Sequence, residues 1–266
     1  MTRAAQPLIH CITNPISIHD CANIILAAGG RPIMAEHPAE VAEITRSSHA
    51  LALNLGNITD ARMKSMPESL KTAASLHIPV MLDLVGTACS NLRYEFAQKL
   101  MNIHMPELLK GNMSELLAMS GQTAHAIGID AGNEDTVTDI NRLHLQELFQ
   151  EKAAQWNTTL LITGKEDMIV SANKCSFIKR GTPAMSQITG TGCQLSGMMT
   201  AFVAANPDNR LEAAAAAVCM MGLAGEIGWS RMTEGDGNST YRNRIIDAIY
   251  NMDGETLEKG AKYEVR

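Results

Sequence analysis

The sequence predicts an α/β protein, built as a mostly parallel central sheet covered by helices. Two observations carry that reading. Short apolar runs of strand length recur along the chain, with helix-like segments between them. Across all 266 residues there is no internal repeat and no Pro/Gly/Ser-rich linker, so 1–266 reads as one domain.

The first buried strand falls at 8–13 (LIHCIT). The helix after it, spanning 17–28, opens on Ser17 with Asp20 three residues later, a capping pattern, and stops at Gly29 and Gly30. Further strands are read at 31–34 (RPIM), 50–56 (ALALNLG), 79–86 (PVMLDLVG) and 159–164 (TLLITG). Helical spacing places helices at 60–77, 91–103 and 136–155, with a loop over 121–135. A hairpin follows at 168–180 (MIVSANKCSFIKR). From Cys193 to Met252, through the alanine run 213–217, the chain reads as almost all helix, with small faces that should pack closely.

Hydrophobic residues make up 45% and charged residues 19%, which demands a packed core rather than a disordered chain. The formal charge is 22 − 28 = −6, with the basic residues scattered, so no nucleic acid is expected as a partner. A small phosphorylated ligand stays open, because main-chain amides at a helix N-terminus bind phosphate without a basic patch. The start, MTRAAQPLIHCITN, has no apolar leader, and no segment reads as long enough to span a bilayer; a cytoplasmic protein with no membrane partner is expected. Six widely spaced cysteines without a CxxC pair suggest reduced thiols. Neither HExxH, GxSxG, a Walker loop nor a strand-linked GxGxxG occurs.

The densest local signal is TGTGC, 189–193. Gly190 and Gly192 free the backbone to turn its amides toward one anion, and the helix that follows adds positive potential. That potential would lower the pKa of Cys193; a plain turn before a buried helix with an inert thiol fits the same residues. Asp83 closes an apolar strand and Glu115 lies where a helix begins. In an open parallel sheet both would face the crevice beyond the strand ends, as a Mg²⁺ site, and each equally reads as a turn or first-turn acid. Thr163 and Gly164 end another strand, and Thr13 and Asn14 end the first.

Taken in order, HCITN (10–14), GGRPIMAEHPAEV (29–41), NLGNIT (54–59), LDLVGTAC (82–89), KGNMSE (110–115), ITGKED (162–167) and TGTGC (189–193) resemble the hydroxyethylthiazole kinase family. The likeness runs almost end to end and takes in AGEIG (224–228). It implies a ribokinase-like three-layer sandwich that transfers phosphate from ATP, with Mg²⁺, to the alcohol of 4-methyl-5-(2-hydroxyethyl)thiazole in thiamine salvage. By the same resemblance Gly190, Thr191, Gly192 and Cys193 would form the catalytic anion hole, with Cys193 facing the substrate hydroxyl. Met34, Gly190 and Asn14 would contact the thiazole; Lys110, Thr163 and Gly164 would border ATP; Asp83 and Glu115 would organise Mg²⁺. A homotrimer is implied, with sites at subunit interfaces and Met34 drawn from the neighbouring chain.

Two positions depart from the family pattern. Leu84 stands where DPVG has proline, which restores an N–H and is expected to loosen the loop beside Asp83; Lys110 stands where RGN has arginine, a point charge for a planar fork. Two alternatives stay open: a kinase for another vitamin precursor such as a hydroxymethylpyrimidine, and, motivated by these two departures, a thiazole-binding protein that has lost ATP handling.

Overall fold

The computed structural model describes residues 2–126, 128–132, 136–138 and 140–266. Among these, nine strands form one sheet: β1 (Leu8–Ile12), β2 (Arg31–Ile33), β3 (Ala50–Asn54), β4 (Val80–Asp83), β5 (Leu108–Asn112), β6 (Thr159–Thr163), β7 (Asp167–Val170), β8 (Cys175–Ile178) and β9 (Tyr263–Val265). Their spatial order is β2-β1-β3-β4-β5-β6-β7-β8-β9, parallel from β2 to β6 and antiparallel from β6 to β9. The border strand β2 has three residues and includes Pro32.

The helices are α1 (Thr2–Ala5), α2 (Ile18–Ala27), α3 (Val41–Arg46), α4 (Asp60–Leu76), α5 (Asn91–Ile103), α6 (Met113–Met119), α7 (Arg142–Trp156), α8 (Thr191–Ala204), α9 (Arg210–Ser230), α10 (Asn238–Asn251) and α11 (Gly254–Gly260), with a 3₁₀ turn over Pro183–Gln187. Every strand and helix expected from the sequence is present. The helix expected from 136 starts only at Arg142, because Thr138 and Asn141 bond each other's amides through their side chains and hold a turn there. Residues 127 and 133–135 of the expected 121–135 loop, and residue 139, lie outside the described residues.

Two apolar clusters form on opposite faces of the sheet, and β3 shows why. Ala50 and Ala52 belong to the cluster shared with α2, α8, α9 and α10, whereas Leu51 and Leu53 belong to the cluster shared with α4, α5 and α7. Small residues on the first face let α8 settle over β1, β3 and β4. In α9, Gly228 faces α10 so closely that an added Cβ would lie 3.3 Å from Ile245 N, the close packing expected between the helices of this region.

Three sequence expectations need correcting. The helix α9 is long and apolar enough, by length and composition, to cross a membrane; 67% of that span is buried here against neighbours such as α8 and α10, as in a core helix. Ser17 precedes α2 but its hydroxyl does not cap the helix; it donates instead toward Asn14 O at 3.4 Å. The amide restored at Leu84 does not loosen the loop. It donates to Lys110 O at 2.8 Å, and the Leu84 side chain is fully buried in the second cluster, so β4 and β5 stay tied past Asp83.

Candidate active site

The carboxyl ends of the parallel strands share one edge, and the start of α8 lies over it. Asn54, Asp83 and Lys110 stand in register on three adjacent strands, so their side chains leave the same face of the sheet, toward α8. All three are buried. Asp83 Oδ2 accepts from Lys110 Nζ at 2.9 Å, from Asn54 Nδ2 at 2.9 Å and from the Ser196 hydroxyl at 2.6 Å. Asp83 Oδ1, equally buried, has no hydrogen-bond partner among the described residues. One carboxylate thus carries a crowded oxygen and an open one.

Burial opposes the charge on Lys110, but the adjacent Asp83 carboxylate, with Cys193 and Glu115 behind it, outweighs that and holds its pKa above the ordinary lysine value. The ammonium therefore persists across the neutral range. It lies against the start of α8: a Cβ built on Gly192 would be 3.5 Å from Lys110 Nζ. Gln194 is the first residue of α8 to bond backwards, to Gly190 O, which leaves the amides of Thr191, Gly192 and Cys193 without a carbonyl in the helix. Gly190 adopts φ +82°, and an added Cβ there would lie 2.5 Å from Ser17 Cβ. Only glycine turns the chain so sharply against α2.

The Cys193 thiol accepts from Asn54 Nδ2 at 3.4 Å and is buried. Burial pushes its pKa up, and the Asp83 carboxylate adds to the rise; Lys110 and neighbouring donors pull the other way and lose. The expected lowering by the helix terminus is corrected: here desolvation wins, and the thiol stays protonated at neutral pH.

Glu115 stands beside this group at the start of α6. Its Oε1 accepts from Gly86 N at 2.7 Å and its Oε2 from Asn112 N at 2.7 Å, completing a capping box with Asn112. Burial nevertheless pushes its carboxyl up to about 7, against those two donors. Thr163 pairs with Asn112 in register, and its hydroxyl donates toward Gly111 O at 3.4 Å; Gly164 N donates to Asp167 Oδ1 at 2.9 Å. Next to Gly164 opens a cavity of about 570 Å³ lined by Thr138, Lys165, Glu166, Lys179 and Arg180.

Asn14 reaches the same edge from β1. Its Oδ1 accepts from Asn57 Nδ2 at 3.0 Å, and Gly56 fits between its amide and Asn54. Met34, just past β2, packs instead on the cluster around α2 and α8, and has no bond into the Asp83 group. The fold thus gathers Asp83, Lys110, Gly190, Thr191, Gly192 and Cys193, sets Glu115, Thr163, Gly164 and Asn14 around them, and leaves Met34 at the margin. Sequence reasoning missed Asn54 and Ser196. A polar residue closing the otherwise apolar β3 was a signal for the first; the second announced itself only by lying one helical turn after Gly192.

The fold as a whole matches that of solved structures. A structure of hydroxyethylthiazole kinase protein from Pyrococcus horikoshii OT3 superposes with a TM-score of 0.86 at 26% identity, covering 100% of this chain and 96% of that one. A ribokinase-like superfamily protein from Enterococcus faecalis V583 shares the fold at 14% identity, with a TM-score of 0.67 over 97% of this chain and 89% of the other. The protein is a kinase of the ribokinase-like fold.

The model of the hydroxyethylthiazole kinase family matches residues 1–255. Hydroxyethylthiazole kinase 2 of Clostridium botulinum (strain Langeland) is 44% identical over 254 residues, 96% of this chain and 94% of the relative. Hydroxyethylthiazole kinase of Clostridium acetobutylicum is 41% identical over 265 residues, 98% and 96% of the two chains. The chain belongs to the hydroxyethylthiazole kinase family.

Proposed function

We propose that this enzyme transfers the γ-phosphoryl group of ATP to the hydroxyl of 4-methyl-5-(2-hydroxyethyl)thiazole, a step of thiamine salvage. The observation that carries the reading is the open, buried Asp83 Oδ1 beside a retained Lys110 ammonium, under amides of α8 that have no helical acceptor. Phosphoryl transfer asks for little covalent chemistry from the protein, and much positioning and charge stabilisation. The amides of Thr191, Gly192 and Cys193 receive the migrating group, and Lys110 neutralises its charge. Thr163 and Gly164 border the nucleotide, which extends toward the cationic cavity beside them. Asn14, Gly190 and Met34 contact the thiazole. The retained charge at position 110 and the bonded Leu84 amide favour catalysis over mere binding.

The residues present also suit Mg²⁺. Asp83 Oδ1 is an anionic oxygen with no hydrogen-bond partner among the described residues, and each Glu115 oxygen takes one amide and keeps lone pairs to spare. Asp83 and Glu115 would hold such an ion together with phosphate and water, and it would supply charge neutralisation to the transferring phosphate. The family likeness further supports one kinase domain over 1–266, a cytoplasmic enzyme and a homotrimer with shared sites. Met34 packing away from its own Asp83 group fits service to a neighbouring chain. Light scattering should then give the mass of three chains; a monomer fully active on the alcohol would remove the shared site.

The test of the reaction is ATP consumption with the thiazole alcohol, followed by mass spectrometry of the phosphorylated product. A product formed from a hydroxymethylpyrimidine but not from the thiazole would overturn the substrate assignment.

Because its thiol is protonated at neutral pH, Cys193 shapes the pocket rather than accepting the alcohol's proton. Cys193→Ser is therefore expected to keep turnover within roughly tenfold of the parent enzyme, since a loose transition state needs little early deprotonation. Complete loss of kcat in a folded variant that binds both ligands would sink this assignment. Alkylation of Cys193 should stay slow at pH 7 and lag behind an ordinary thiol as pH rises, because burial holds its pKa above the usual value.

A further inference from the structure

Among the described residues, Arg62 is the one completely buried arginine, and it has no part in the transfer just described. Arg62 lies in the first turn of α4 with 0% exposure, although a charged side chain is rarely buried so fully without good pairing. Its pairing is partial. Nη1 donates to Gly56 O at 2.6 Å and Asn57 O at 3.0 Å, Nε lies 3.5 Å from Glu36 Oε2 as an ion pair without a hydrogen bond, and neither Nε nor Nη2, both buried, has a hydrogen-bond partner among the described residues.

What Arg62 touches explains why an incompletely bonded charge is kept there. The Gly56–Asn57 turn is the one that clasps Asn14: Asn57 Nδ2 donates to Asn14 Oδ1 at 3.0 Å, and Gly56 N donates to Asn54 Oδ1 at 2.8 Å. Glu36 belongs to the segment that follows β2 and carries Met34. That segment is pinned by His10 Nε2 on Ala35 O at 2.9 Å and by the Ser65 hydroxyl on Glu36 O at 2.6 Å. Arg62 thus reaches from one segment to the other, and the planar fork of a guanidinium suits two carbonyls and a carboxylate where an ammonium would not.

We infer that Arg62 is a positioning residue for the alcohol: it holds the Gly56–Asn57 turn that sets the Asn14 wall of its own site, and through Glu36 it steadies the segment that presents Met34 to the neighbouring chain's site. This rests on the reading that Asn14 and Met34 contact the thiazole. It touches neither reactant; it acts through Gly56, Asn57 and Glu36. Small displacements of substrate-positioning groups lower the yield of productive poses, and the wall that moves here belongs to the alcohol rather than to ATP.

Steady-state kinetics with each substrate varied in turn tests this. Arg62→Met is expected to raise KM for the thiazole alcohol by about tenfold or more while KM for ATP stays within about twofold. Arg62→Lys should recover part of the loss, and Glu36→Gln should raise the alcohol KM by roughly threefold. A folded Arg62→Met enzyme with an unchanged alcohol KM, or one in which both KM values rise together, would overturn the inference. Glu36 is half exposed, so Arg62→Met leaves its carboxylate to water rather than buried alone; if this variant fails to fold, Glu36→Gln decides. An unaltered alcohol KM in that variant would then reject the role. A parent enzyme that does not phosphorylate the alcohol would refute the substrate reading and this inference with it, whereas an active parent with indifferent variants would refute the inference alone.

Discussion

Asp83→Asn is expected to lower turnover by at least about 10²-fold and to destabilise the protein by roughly 3–5 kcal/mol. The two losses have different origins. Stability falls because Lys110, almost fully buried, loses the carboxylate 2.9 Å away that holds it charged, and an uncompensated ammonium is left in the interior. Turnover falls because the open Oδ1 loses its charge, or is replaced by an amide donor where an acceptor is required. Pairing the change with Lys110→Met separates the effects: thermal stability should largely return, since both ends of the buried pair are gone, while activity should not. Turnover of the single variant within tenfold of the parent would remove Asp83 from the reaction.

The two glycines of the α8 turn should respond in opposite ways. Gly190→Ala places a side chain on a backbone at φ +82° and drives its Cβ to 2.5 Å from Ser17 Cβ, so a loss of roughly 2–4 kcal/mol in stability is expected. Adding Ser17→Gly relieves the collision but not the left-handed strain, and should recover only part. Gly192 has an ordinary φ, and its Cβ position meets only Lys110 Nζ at 3.5 Å. Gly192→Val should therefore melt near the parent temperature yet lose about 10²-fold in kcat/KM, because the side chain fills the space between ammonium and amides where an anion must sit. Equal loss of stability in both variants would contradict the cradle assigned to Gly192.

Much of this was legible in the sequence because burial and period agree. The strands from 8, 50, 80 and 159 are apolar runs because helices cover their sheet on both faces. Strand β5 escaped notice because LLKGN has only two apolar residues before its functional end, and β9 because its exposed YEV has no pattern; it forms where β8 offers an unpaired edge. At the site, glycines and strand-end acids announced Gly190, Gly192 and Asp83. The protonation of Cys193 was misjudged because a motif reports the helix terminus but not the depth of burial. Arg62 was illegible for a related reason, and Asn54 showed only as a polar strand end: their partners are set by turns distant in the chain and by register.

One border of the sheet has a consequence outside catalysis. Its terminal strand is three residues long and its middle residue, Pro32, has no N–H to offer. A foreign strand arriving there finds too short and too broken a ladder to extend, so concentrated solutions should resist fibril-like coalescence from that side, and copies that do meet must recognise each other through side chains.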